Sequence, residues 1–282
     1  MPTTQKTRIP TIFHEDISLS RQSLSKIVKA VLDNPNLQSL SQITRRELFS
    51  EATSLGTNYV KAMPYYARGC GLITPKYKLT NFGTFAFRND EQFDLANTQW
   101  AMHYHLSAPH GPGPAFWNQV VIKFFFPSNL FSKEDVSDFI GDFIWQSENK
   151  VISARKIQST ATKLLNAYTN SEGLGKLKIL EATDSGRFRV QSPVTPSAWV
   201  VGYALLDFWK AQYPDRIGVS LDVLMNSGFP QLFLMAKSDL DEVLRIMQEN
   251  QIVDVHRSAP PYQVMLLRQD QESILEKIYG SN

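Results

Sequence analysis

Asn58, Lys61, Tyr65 and Arg68 recur at intervals of three and four residues, with Thr57 beside the first and Lys76 and Lys78 following. Residues spaced in this way share one face of a helix. Cations on such a face displace the counterions condensed on a phosphate backbone. Lys61, Lys76 and Lys78 suit phosphates, and Asn58 suits either the edge of an adenine or the start of the helix. From Ala52 to Asn89 there is no Asp or Glu, although the chain as a whole holds 29 Lys and Arg against 27 Asp and Glu. The net charge of +2 is uninformative. The local lack of acid points to nucleic acid, with a solvated or protein-binding face as the alternative.

A second group is titratable: Asp90, Asp94 and His103, with His105 and His110 close behind. Carboxylates and imidazoles that converge on Mg or Mn activate water for phosphodiester hydrolysis. The spacing works against a tight site. On a helix His103 and His105 point roughly 200° apart, and His110 follows the break that begins at Pro109. The competing reading buries His103, where it orients the Asp90–Asp94 segment. His14 and Glu15 are adjacent in an extended stretch and point oppositely, which favours a structural tie over an acid–base pair. The sequence has no phosphate-binding Gly loop and no compact nuclease signature.

The elements that must position these groups can be read from periodicity. Residues 18–33, 44–53 and 58–68 read as three helices, with Pro64 inside the third. Leu72–Leu79 and a turn at Asn81-Phe82-Gly83 read as a short hairpin, giving the helix–turn–helix–hairpin order of a winged helix-turn-helix. Further on, 153–168 reads as a helix, and Leu177–Leu180 is matched to Phe188–Gln191 as paired strands. The amphipathic run 238–250, followed by strands at 252–255 and 262–267, reads as a second winged-helix-like unit. Charge and polarity rise between Asp142 and Lys150, which suggests a domain boundary there.

With 282 residues, 43% hydrophobic and 20% charged, the chain has the composition of a globular protein with about two cores. Cys70 is the only cysteine, so no internal disulfide and no cysteine zinc site can form within one chain. There is no signal-like apolar N-terminal run and no apolar stretch of about 18 residues. A soluble, cytoplasmic protein without membrane contact is expected.

The order of motifs from Phe13 to Leu106 resembles the SspB-like family, a bacterial domain-of-unknown-function family found beside DNA phosphorothioation and phage-defence genes. The matching residues are His14-Glu15 after an aromatic position; Gly56, Asn58, Val60, Lys61 and Tyr65; Gly71-Leu72-Ile73; Leu79-Thr80 with Gly83; and Asp90, Asp94, Thr98, Trp100, His103 and Leu106. Thr57, Pro64 and Tyr66 depart from the Lys, Arg and Trp common there. The resemblance implies a component of a DNA-modification system that works with a cysteine desulfurase, an ATPase and a sulfur-transfer enzyme. An SspB-like member nicks DNA so that sulfur can enter the backbone.

Residues and resemblance together lead to a mainly α protein with small β-hairpins (α+β). The expected domains are a winged helix-turn-helix-like one at 1–145 and a helical, winged-helix-like one at 146–282. Thr57, Asn58, Lys61, Tyr65, Arg68, Lys76 and Lys78 are the expected DNA contacts. A metal-dependent nickase would draw on Asp90, Asp94 and His103; the alternative is a non-catalytic DNA adaptor, regulator or protein scaffold. A homodimer is compatible with either.

Overall fold

Hydroxyl side chains start many of the helices. Ser20, Ser41, Thr80, Ser132, Ser197 and Ser220 each accept a hydrogen bond from a first-turn amide that has no partner within its helix. The computed structural model describes residues 8–268 and 270–280, and among these it contains twelve α-helices and six short strands. The fold is mixed α+β and mainly α, as expected.

The chain divides into two compact units that meet in sequence between Val194 and Thr195. The first holds α1 (Arg21–Asp33), α2 (Gln42–Thr53), α3 (Thr57–Gly69), α4 (Asn81–Asn89), α5 (Ala96–Ser107), α6 (Ala115–Phe124), β1 (Leu130–Phe131), α7 (Lys133–Glu148), α8 (Ala154–Thr169), β2 (Leu180–Ala182) and β3 (Phe188–Val190). Helices α1, α2 and α3 pack on one another. On α3, Val60, Met63 and Ala67 face inward with Tyr66, and the helix runs through Pro64 without ending. The expected strand at Phe188–Gln191 is β3, but its partner β2 begins only at Leu180, because Gly175–Leu177 forms a 3-10 turn where the strand was expected to start; β1 joins them to give the antiparallel order β1-β3-β2. Asp142–Lys150, where the charge pattern suggested a boundary, is instead the end of α7 and the link to α8. These two helices pack together inside the first unit.

The hairpin expected after α3 is reduced to a single bridge between Ile73 and Leu79. Asn81-Phe82-Gly83, read as a turn, is the first turn of α4. The physical reason is the cap: Thr80 Oγ1 accepts the Gly83 amide at 2.8 Å, and Phe82 and Ala86 bury on the helix face. Gly83 is required at this point, because a Cβ there would lie 1.9 Å from the Leu72 carbonyl oxygen.

The second unit contains α9 (Ala198–Gln212), β4 (Gly218–Ser220), α10 (Leu221–Met225), α11 (Lys237–Glu249), β5 (Val253–His256), β6 (Gln263–Leu266) and α12 (Gln271–Tyr279). Its strands pair antiparallel in the order β4-β6-β5. Leu240, Val243, Leu244 and Met247 form the buried stripe of α11. Its order is helix, strand, two helices and a hairpin whose strands are joined by the loop from 257 to 262. Among the described residues, no helix is long and apolar enough to cross a membrane.

Candidate nucleic-acid interface

The three-to-four-residue stripe of α3 faces outward. Thr57 and Asn58 are exposed at the start of the helix, and Lys61, Tyr65 and Arg68 are half-buried along it. Gly56, the residue before the helix, has open space where a Cβ would sit. Helix α2 lies alongside, and the two bound a groove lined by Gln42, Arg45, Arg46, Lys61, Tyr65 and Arg68, with Phe49, Val60, Pro64 and Tyr77 also in its wall.

The cations of this groove differ in how they are held. Arg45 is fixed: its Nε donates to the Leu37 carbonyl at 3.0 Å and an Nη to the Leu40 carbonyl at 2.7 Å. Its guanidinium lies 4.2 Å from the centre of the Tyr77 ring, a favourable cation–π geometry. Arg68 lies 5.6 Å from the Tyr65 ring centre, and its buried Nε has no hydrogen-bond partner. No acid lines the groove; Glu47 and Glu51 of α2 are exposed elsewhere on that helix.

Lys76 and Lys78 are exposed on the turn that replaces the hairpin. The Thr74 amide donates to the Lys78 carbonyl at 2.7 Å, and Tyr77 adopts a φ of 54°. This turns the Tyr77 ring toward Phe49, at 6.1 Å between ring centres, so the basic turn is tied to α2.

Asp90, Asp94 and His103 do not come together as a metal site. Both Asp90 carboxylate oxygens accept backbone amides, from Asp94 and Leu95, at 2.8 Å each. Asp94 is held between Arg21 at 2.6 Å and Lys176 at 3.1 Å; its hydrogen bonds to those two cations, Arg21 first, keep its carboxyl below the usual range. His103 is wholly buried. Its Nδ1 lies 2.8 Å from the Tyr168 hydroxyl, which also accepts Trp117 Nε1–H at 2.8 Å. The metal expectation is therefore not met by these three, and among the described residues no three His, Cys, Asp or Glu side chains group to hold an ion. Burial also pushes the Cys70 thiol far up, away from nucleophilic behaviour.

His14 ties the N-terminal arm to α8. Its Nδ1 accepts the Asp16 amide at 3.1 Å, so Nε2 carries the proton and donates to Thr160 Oγ1 at 3.0 Å. Burial lowers its pKa and favours this neutral form.

The outer face of α11 has the opposite character from the α2–α3 groove. Asp239, Asp241, Glu242 and Glu249 outnumber Lys237 and Arg245 on that helix. Arg245 is bound to Glu242 at 2.7 Å and to Glu249, and Arg257 of the 257–262 loop is bound to Asp241 at 2.9 Å.

A family model described as a protein of unknown function, DUF4007, matches residues 13–279. The chain belongs to the DUF4007 family. No curated protein matches it. Two solved structures share its fold. A magnesium ion-bound SspB crystal structure is 18% identical, with a TM-score of 0.73 over 95% of this chain and 87% of that one. An SspB crystal structure is 16% identical, with a TM-score of 0.75 over 98% of this chain and 90% of that one. The SspB-like resemblance carried by the N-terminal motifs thus extends to the fold of nearly the whole chain.

In this DUF4007 member the sequence reading placed the α3 stripe and the two lysines on the surface but missed Arg45 and Arg46. The adjacent arginine pair was visible. It lies before the acid-free stretch that begins at Ala52, on a helix that also carries Glu47 and Glu51, and only the packing of α2 on α3 separates the arginines from those acids.

Proposed function

We propose that this protein is a DNA-engaging component of a phosphorothioation or phage-defence system, and that it binds duplex DNA through α2, α3 and the 74–78 turn. The observation that carries the reading is the acid-free convergence of Arg45, Arg46, Lys61 and Arg68 beside exposed Thr57 and Asn58, with Lys76 and Lys78 on the next turn. Such a surface gains affinity by releasing counterions from phosphates, so binding must weaken linearly in log–log form as salt rises. The SspB likeness supports the biological setting, where a cysteine desulfurase, an ATPase and a sulfur-transfer enzyme would be partners. Fluorescence anisotropy with duplex DNA over a salt series tests the reading. Binding that falls with salt and is weakened by Lys78→Ala supports it; no binding at low salt rejects it.

A nicking role draws its support from the magnesium ion-bound relative. Asp90, Asp94 and His103 do not fit a metal, so no cutting step is assigned to them. A protein-docking role for the second unit is favoured by α11, whose acids repel a phosphate backbone and hold Arg245 and Arg257 in ion pairs.

A further inference from the structure

The DNA reading leaves open what the α2–α3 groove itself does. Its form is specific. The recess within it is small, about 30 Å³, a size that admits a phosphate oxygen. Arg46, Lys61 and Arg68 line it from two helices, and among the described residues their side chains show no hydrogen bond or ion pair. The Nε of Arg68 is buried there with its N–H unspent. A buried donor without an acceptor is costly unless a ligand supplies one. Arg45 is held by two carbonyls and by Tyr77, so it is a fixed part of the groove wall, and the other three are the more adaptable donors. Guanidinium forks and an ammonium around a small, acid-free recess suit the tetrahedral oxygens of a phosphate.

We infer that this groove is a discrete anchor for one internal phosphodiester of the bound strand, gripped jointly by Arg46, Lys61 and Arg68. The inference rests on the DNA reading above. It adds that α2, the helix before the one carrying the stripe, contributes directly to the contact, and that three cations serve one phosphate rather than three separate ones. Contact at this point fixes the register of the protein on the backbone and carries no base preference.

The test is a double-mutant cycle on the full chain. Duplexes with 5′-hydroxyl ends are used, so that internal phosphodiesters are the only phosphates offered. Arg46→Ala and Arg68→Ala are each expected to weaken binding about tenfold and to lower the salt slope by about one, equally on unrelated sequences. Because both side chains grip the same phosphate, the double variant should lose far less than the product of the two. Lys78→Ala, at a separate phosphate, should combine multiplicatively with either. Thermal melting checks that each variant is folded, and Arg68→Lys, which retains the charge, should fall between wild type and Arg68→Ala. Three results overturn the anchor while the DNA reading stands: unchanged affinity in both arginine variants, fully multiplicative losses between them, or a changed sequence preference. Failure of the wild-type chain to bind any duplex at low salt instead removes the DNA reading and the anchor with it.

Discussion

Two regions of this molecule differ in both connectivity and charge. The α2–α3 pair has an outward stripe free of acid, but the segment after it closes with a single bridge at Ile73 and Leu79 and turns at once into α4. The second unit has a three-stranded sheet, β4-β6-β5, with a loop at 257–262 between its last two strands. Its α11 nevertheless carries four acids and two cations, Lys237 and Arg245; Arg245 and, from the 257–262 loop, Arg257 are spent on those acids. Ion pairs this exposed add little stability, but they remove the cations that a phosphate would need. Connectivity and charge are thus separable, and for a polyanion charge decides.

The largest expected effect on this contrast comes from Lys61→Glu. It removes a phosphate contact and places an anion in the groove, so duplex affinity should fall about 100-fold at moderate salt. A loss below about threefold would show that the α3 face is not the contact surface. Thr80→Ala comes next. Loss of the α4 cap should destabilise the first unit by about 1 kcal/mol, visible as a lower melting temperature, while the salt slope of DNA binding stays unchanged. A hairpin in that position would tolerate the change. The smallest effect belongs to α11: Asp241→Asn with Glu242→Gln should change duplex affinity by less than about twofold, because those acids are not part of the proposed contact. A large gain would mean that its acids were holding DNA off.

The first unit also carries a pH signature. The buried His14 has its pKa lowered from 6.5, so the unfolded chain takes up the proton first as pH falls. Stability from this group is complete above about 6.5 and is lost as pH drops from there to the lowered folded value. Denaturant melts of wild type and His14→Gln should therefore diverge in pH dependence across that window and run parallel above it.

Much of this was legible in the sequence, because local chemistry decided it. The α3 stripe and the buried face of α11 follow from periodicity alone. The helix at 81–89 was missed because Asn-Phe-Gly looks like a turn until Thr80 is recognised as its cap and Phe82 finds a buried site. The unit boundary was displaced because the polar end of α7 resembles a linker, whereas the packing of α8 back on α7 is a tertiary fact. Arg45 and Arg46 were hidden for the same reason: which side of α2 faces the groove is fixed by its contact with α3. His103 could be read as a ligand or as core, and only Tyr168, 65 residues away in sequence, settles it as core.

Hydrogen–deuterium exchange of the full chain with and without duplex DNA compares the two regions in one measurement. Slowed exchange in α2, α3 and the 74–78 turn, with α11 and the 257–262 loop unchanged, is the result predicted here. Protection confined to α11 and that loop would contradict it.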